Sequence, residues 1–596
     1  MLAMLVWLAV GLAAPLIVSL YSPDLGLQGV TVVAAPRDTF TIDHPIELGQ
    51  SPQITVERGT IVLVNTSGKE STGEPIETML ARGDAGLVLD GATILVSATR
   101  WTVPKFDGPV APLVEVVKDI KWESLAIRRG TFIITLPGGQ VESLNDVQAE
   151  VSLKRKGAVT VKGTALLRGE RVSFQATAGT QIDQKGPPNL PFSLQLKSPL
   201  LEATFEGKLG LGENLQLKGQ GEVHIEGVRQ AARWFGAAWP AGGPGLKKLS
   251  AKGQFDWTGH TLEFDKATFG MDGNEATGVL GLNLRGARPT ITGTLALRSL
   301  NLSQYLPGSE RQGRDARLTW ATLTAGLLDM PLDTMLDVDA RISAERVMVG
   351  NVELGRSAAT ITLKEGRLLA DLAELEFIGG KGGGQIHADL TGYYPKVALR
   401  AKLDDVDLGR VSTLLAGRGT MQGSATVVAD MTATGVTAFD LVRTLGGRVS
   451  IKAQQGGRLG VDLKSLPAAA KSGVNDGWSA ALRGGTSFDQ LDLRLVVREG
   501  VVMSENAELI SGDTTWNATG LLSVPGGWVD IRLVQGAKLA PARSSAESAK
   551  APTLELRGPW SGPQLRVVPE TSDAAGTGDW SPAPVLIPLP SEQDRG

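Results

Sequence analysis

The sequence contains no cysteine and only four histidines. The first absence removes disulfides, zinc–thiolate sites, iron–sulfur clusters and thiol nucleophiles, and it is compatible with any compartment. His44, His224, His260 and His387 are scattered, and none has a second histidine at metal-ligand spacing, so each reads as a solvated strand position. An excess of one charge is also missing, because 59 Lys+Arg stand against 63 Asp+Glu, for a net −4 with no basic block. Phosphate binding needs clustered Lys and Arg to displace counterions, so the balance argues against nucleic acid as partner and against a polybasic membrane patch. A hydrophobic content of 42% excludes a wholly disordered chain.

One uncharged run stands at the start. Residues 1–20 carry no ionisable side chain, and as a helix they span close to the ~30 Å hydrocarbon thickness of a bilayer. The spacing predicts a transmembrane anchor over 1–21 built on Leu2, Leu5, Trp7, Leu8, Leu12, Leu16 and Leu20, kinked at Pro15. A cleaved signal peptide is the rival: Gly11-Leu12-Ala13 is a small-x-small site, but no Lys or Arg forms the expected basic start. The first basic residue is Arg37, so charge bias assigns no orientation.

Beyond the anchor the chain alternates. Leu201, Ala203, Phe205, Leu209, Leu211, Leu215, Leu217, Val223 and Ile225 fall on odd numbers, with Glu202, Glu206, Lys208, Gln216, Lys218 and Glu222 between them. A period of two with one oily and one wet face predicts antiparallel strands covered on one side, and Gly212-Glu213-Asn214 reads as a hairpin turn. The pattern returns in Ile291, Leu295 and Leu297, in Val397, Leu399 and Leu403, in Leu491, Leu493 and Leu495, and in Val529, Ile531 and Leu533. Glycine is abundant, 74 residues in 596, and suits the bends, bulges and turns of such strands. Helical period is confined to short pieces at 228–235, 303–306, 409–415 and 463–471. A βαβ enzyme scaffold is therefore disfavoured.

An internal repeat supports the same reading. From Phe269 the chain reads FGMDGNEATGVLGLNLRGARPTITGTLALRSLNLSQYL, and from Phe377 it reads FIGGKGGGQIHADLTGYYPKVALRAKLDDVDLGRVSTLL. Pro289 leads by the same offset to Asn301-Leu302 as Pro395 does to Asp407-Leu408, each followed by a short helical turn. A third, partial copy is expected at 206–235. The chain divides into the anchor at 1–21, a membrane-proximal β region at 22–200, a repetitive body at 201–540, a terminal strand segment at 541–570 and a proline-bearing disordered tail at 571–596.

The search for chemistry returns little. The GGKGGG run at 379–384 lacks the Lys-Ser or Lys-Thr that opens a helix in a phosphate loop, and is expected to be a turn. Asp404, Asp405 and Asp407 form an acidic cluster, but Asp407 is explained as a helix N-cap. No nucleophile–base pair stands out, so no enzyme, metal site or cofactor is expected. A long sheet with one apolar face has two ways to cover it: a second sheet packed as a dry sandwich, or curling around its own apolar face to leave a trough. Alternation leaves both open. A trough lined by Phe205, Leu209, Leu211, Leu215, Leu217, Val223, Ile225, Ile291, Leu295, Leu297, Val397, Leu399, Leu403, Leu491, Leu493 and Leu495 would accept acyl chains at about 0.8 kcal/mol per CH₂.

Four segments resemble the AsmA family of bacterial envelope proteins and occur in that family's order. They are LDMPLDTMLDVDARISAERVMVGNVELGRSAATITLKEGRLLADLAELEFIGGKGGGQIHADL from Leu328, FDLVRTLGGRVSIKAQQGGRLGVDLKSL from Phe439, TSFDQLDLRLVVREGVVMSENAELIS from Thr486, and LELRGPWSGPQLRV from Leu554. With the repeat and the anchor, the resemblance covers most of the chain from about 200 to 568, while 25–200 carries no nameable motif and the uncharged start departs from the family's basic one. The resemblance implies a mainly β protein: a long, curled, taco-like antiparallel sheet with a greasy groove, a few short helices and one N-terminal transmembrane helix in the inner membrane of a Gram-negative bacterium. It implies a non-enzymatic periplasmic body, related to TamB and akin to bridge-like lipid-transfer proteins, that moves phospholipid in outer-membrane biogenesis and meets an outer-membrane partner protein. Two further readings remain: an assembly factor whose open sheet edge pairs with strands of outer-membrane proteins, and a passive β-sandwich scaffold of the envelope.

Overall fold

The computed structural model describes strand segments between residues 30 and 97 and most of the chain from 122 to 568; the longer stretches left out there are 180–188, 237–244, 306–335, 472–483 and 538–552. The anchor at 1–21 and the tail at 571–596 lie outside the described residues. Among the described residues no helix is long and apolar enough to cross a membrane. Strand accounts for 74% of the described residues. The chain divides into two compact units, 1–297 and 298–596; the expected boundary at 200/201 falls within the first, in the turn between the paired strands Asn189–Lys197 and Leu201–Leu211.

In the first unit nearly every strand pairs with its neighbours in sequence. The predicted hairpin joins Leu201–Leu211 to Leu215–Glu226 in the register Leu201↔Ile225, Ala203↔Val223, Leu209↔Leu217. Directly opposed residues share a face, so the odd-numbered apolar positions of both strands line one side. The row passes on through Leu217↔Trp257, Trp257↔Leu262, Leu262↔Leu282 and Leu282↔Ile291. One expectation needs correction: the sheet is mixed, because Ala85–Ser97 and Trp122–Thr135 run parallel, as do Leu300–Asn301 and Val347–Val349 in the second unit. A parallel pair needs a crossover rather than a hairpin, and alternation within single strands carries no record of connection.

The apolar face of the first unit is packed shut over much of its width. Helix α1 (Val228–Trp234) follows Leu215–Glu226, yet the Trp234 indole Nε1 donates to the Leu167 carbonyl at 2.9 Å. Arg168 Nη1 in turn donates to the Trp234 carbonyl at 2.9 Å. Strand Ala158–Leu167 lies four ladder steps from Leu215–Glu226, so α1 reaches across the oily side of the sheet and covers part of it. Bulges interrupt the ladders, and each bends and twists its own strand. They occur between Ile127 and Gly130, Asn145 and Gln148, and Phe264 and Ala267, where Arg129, Asp146 and Lys266 take φ of 52°, 46° and 46°.

Four helical pieces match or nearly match the expected ones: α1, a 3₁₀ turn at Ser303–Tyr305, α2 (Leu408–Ala416) and, within 463–471, the later helix Leu466–Lys471. One more, α3 (Ala438–Thr444), was not signalled; Leu466–Lys471 is hereafter α4. As expected, Asp407 caps α2, its Oδ1 accepting from the backbone N–H groups of Gly409 at 2.8 Å and Arg410 at 3.2 Å. The GGKGGG run corrects a second expectation: only Ile378-Gly379 turns, Gly379 at φ 81°, while Gly380–Asp389 is a strand. Its glycines are needed for closeness, because a β-carbon on Gly382 would stand 1.9 Å from the Lys402 carbonyl oxygen.

Candidate functional site

Fourteen of the sixteen expected lining residues have described side chains; these share the apolar faces of their units but meet different surroundings. In the first unit Leu209 and Leu217 are each 1% exposed, and Phe205 is buried as well. Val223, Ile225, Ile291, Leu295 and Leu297 are half-buried, and Leu211 and Leu215 pair with each other but their side chains are outside the description. Above the glycines of Leu215–Glu226 runs a file of rings, Phe192, Phe205, Phe255, Phe264 and Phe269, with successive centroids 6.1, 5.7, 5.1 and 6.3 Å apart. Gly221 makes room for it, since a β-carbon there would stand 2.9 Å from Phe255 Cβ. Among Leu194, Phe205, Leu217, Phe255 and Phe264 about 20 Å³ of free space remains, the room of roughly one water. Here the face is a dry core.

The second unit differs. Its rows run Ala340↔Ile361, Ile361↔Ala370, Ala370↔Ile386, Ile386↔Leu399 and Leu399↔Met431; a neighbouring row joins Val449↔Leu495 and Ile451↔Leu493. Apart from Ala340, all of these are half-buried. A sheet face covered by a second layer buries such positions, as the first unit shows. Of the expected residues, Val397, Leu399, Leu493 and Leu495 lie on this partly open surface, while Leu403 and Leu491 are buried toward one end. Ile361, Leu372, Ile386, Met431 and Ile451 belong to it and were not singled out. Their alternation is legible, but its parity switches at some turns and bulges, as between Ile386 and its partner Leu399 and at Leu403/Val406, where Asp405 takes φ 59°.

One end of this surface is closed. Leu408, Ala425, Ala453, Leu463, Leu466, Phe488, Leu491, Leu509, Trp516 and Leu554 form a core, with Leu466 of α4 and Leu554 fully buried. Thr486 Oγ1 secures the α4 approach, donating to the Val461 carbonyl and accepting from the Leu463 N–H, both at 2.8 Å. The opposite face is charged and wet. Arg400–Asp430 at 3.3 Å, Lys402–Asp404 at 3.4 Å and Arg494–Asp492 at 3.3 Å pair across it, and Lys218–Asp256 and Lys252–Glu222 do the same in the first unit at 3.1 and 2.8 Å. Lys252, with His224 beside it, holds the Glu222 carboxyl below the usual range. Such exposed pairs add little stability, but they fix which side faces water.

Catalytic constellations do not emerge from this geometry. Among the described residues no group of three or more His, Cys, Asp or Glu side chains is placed to hold a metal ion. A cleft of about 490 Å³ beside the bulges of Val352–Lys364 and Arg367–Phe377 is lined by Glu345, Arg356, Glu374, Glu376 and Lys381, with Gly355 and Leu375; its charges are mixed and Leu375 is its one large apolar wall. Asp404 accepts from Thr426 Oγ1 at 2.9 Å and Asp407 caps a helix, so two of the three members of the acidic cluster have local structural roles. Comparison with models of known families, with curated proteins and with solved structures finds no match.

Proposed function

We propose that this chain is a non-enzymatic lipid-binding protein of the AsmA type, held by its N-terminal segment in a bacterial inner membrane and carrying phospholipid acyl chains on the apolar face of its second unit. The observation that carries the proposal is the half-buried apolar surface of residues 337–453 and 490–498, in register across successive strands and without a covering layer among the described residues. Acyl chains suit such a surface because it has area and no fixed polar groups, so each CH₂ withdrawn from water contributes about 0.8 kcal/mol and little selects between lipids. The packed first unit favours a structural role for its own core, as in the scaffold reading. The strand Gln564–Val568, paired on one side only among the described residues, is what supports the alternative of strand pairing with an outer-membrane protein.

Site-specific photo-crosslinking in cells at Leu399 and its neighbour Arg400, with mass spectrometry of the adducts, tests the proposal. Lipid adducts are expected at 399 and not at 400. Lipid at neither position, in a folded protein, overturns it. Leu217 is unsuited to the test, because at 1% exposed it meets only protein.

A further inference from the structure

The second unit exposes aromatic side chains along one rim of its sheet. The turn 390–395 carries Tyr393 and Tyr394, 85% and 60% exposed, and the segment entering and forming α3 carries Val436 and Phe439, 45% and 56% exposed. These two segments are neighbours: Lys396 pairs with Thr434, and the Gly435 N–H donates to the Pro395 carbonyl at 3.0 Å. Further along the same rim, the hairpin closed by Ser523↔Trp528 exposes Trp528.

The patch is built firmly. Leu441 of α3 is 4% exposed and roots the helix; Thr444 Oγ1 accepts from the Thr434 N–H at 2.8 Å and donates to its carbonyl at 2.6 Å. The tyrosine rings meet edge to face at 4.8 Å and 86°, which leaves one flank of each to the outside. Charge on the rim is mixed, with Glu365 and Glu499 exposed on neighbouring turns, but the acids nearest the rings are only partly exposed. Asp389 is drawn into its turn by the Thr391 N–H at 3.1 Å and hydroxyl at 2.6 Å, and Asp440 sits half-buried in the first turn of α3. Lys396 and Arg443 are exposed, and the Arg443 guanidinium lies 5.5 Å from the Phe439 ring centroid.

We propose that this rim of the second unit docks on a lipid bilayer surface, with Tyr393, Tyr394, Val436 and Phe439 seated at the headgroup level and Lys396 and Arg443 meeting lipid phosphates. Amphipathic rings beside outward cations are the chemistry that membrane interfaces favour, and cations near an anionic surface add attraction. Separate projecting tips also suit a fluid layer better than a protein partner, which must match a continuous surface of about 800 Å². The inference stands whether or not the apolar face carries lipid, so its failure and the failure of that reading are distinguishable.

Because the chain has no cysteine, single substitutions Tyr394→Cys, Phe439→Cys and, on the opposite rim in the Ser511↔Thr514 hairpin, Asp513→Cys each give one attachment point for an environment-sensitive fluorophore. Full-length protein is mixed with vesicles of phosphatidylethanolamine and phosphatidylglycerol, with and without brominated acyl chains. A blue shift and loss of emission to bromine at 394 and 439, with neither at 513, is the expected result. No change at both 394 and 439, or equal change at all three positions, overturns the proposal. Emission that follows protein concentration and ignores lipid assigns the rim to a second copy of the chain and overturns it equally.

Discussion

The contrast between a closed face and an open one makes a quantitative claim about two leucines. Leu217 is 1% exposed, opposed by Leu209 and Trp257; Leu399 is half-buried between Ile386 and Met431. Leu217→Ala removes about three carbon groups at ~0.8 kcal/mol each, about 2.4 kcal/mol, and the cavity left in a packed interior raises the cost to about 3–4 kcal/mol. Leu399→Ala gives up only part of that transfer energy and leaves no enclosed cavity, so it costs about 1 kcal/mol. Since the chain has two compact units, a single unfolding midpoint is a poor reporter, and segment-resolved hydrogen exchange is the suitable assay. Amides of Leu201–Leu211, Leu215–Glu226 and Lys248–Thr258 should exchange roughly two to three orders of magnitude faster in Leu217→Ala, provided their slowest opening is unfolding of that core. Amides of Lys396–Asp407 should change by less than about tenfold in Leu399→Ala. Comparable changes in the two variants would refute the distinction between a dry core and an open surface.

Two further outcomes follow from local geometry and charge. A β-carbon on Gly219 would stand 2.2 Å from the Glu206 carbonyl oxygen and 2.6 Å from the Gly207 α-carbon, both backbone, so Gly219→Ala should cost about 1–3 kcal/mol. Gly562→Ala, with open space at its β-carbon, serves as the neutral control in the same exchange measurement. Asp90 is bound by Arg129, whose Nε donates to its Oδ1 at 2.9 Å, and this lowers its carboxyl pKa below the ordinary 3.8. A lowered folded-state value means that the contribution is present above the unfolded pKa and is lost as pH falls through the folded one. Asp90→Asn should therefore destabilise the first unit at neutral pH and flatten its loss of stability on acidification below about pH 4; an unchanged acid dependence of hydrogen-exchange protection in Ala85–Ser97 and Trp122–Thr135, after correction for intrinsic rates, would contradict this.

Much of the architecture was legible because strand alternation is a direct imprint of two-sidedness. Leu209 and Leu217 are opposed as their parity implies, the strands on either side of 212–214 pair with each other as expected, and Asp407 caps α2 as its position before Leu408 suggests. What alternation does not encode is whether an oily face is covered. Leu217 and Leu399 look alike in sequence, and the difference lies in what stands over them: a file of phenylalanines contributed by four strands in one case, no second layer among the described residues in the other. Nor does it encode parity across a turn, by which even-numbered Ile386 comes to share a face with odd-numbered Leu399, or the crossover that makes Ala85–Ser97 and Trp122–Thr135 parallel. Helix α3 escaped notice because, among its described side chains, Leu441 alone is buried, too little for a period to show.

Strand order has a consequence for how such a chain is made and how its length changes. Within each unit most strands hydrogen-bond to those adjacent in sequence, so a growing chain meets each partner almost as soon as it appears, and loop closure costs little at each step. The main exception in the second unit is Gly446–Ala453, whose outer partner Gln490–Arg498 arrives only after the excursion carrying α4; that step sets a natural pause. Nearest-neighbour order also makes the hairpin a unit of currency: one can be inserted or deleted at a turn while every other pairing survives, as in solenoids built from repeats. A sheet of this kind can change its reach by whole hairpins without being redesigned, and the segments beginning at Phe269 and Phe377 each run through two successive paired strands into a short helical turn, the size of unit such a change would add.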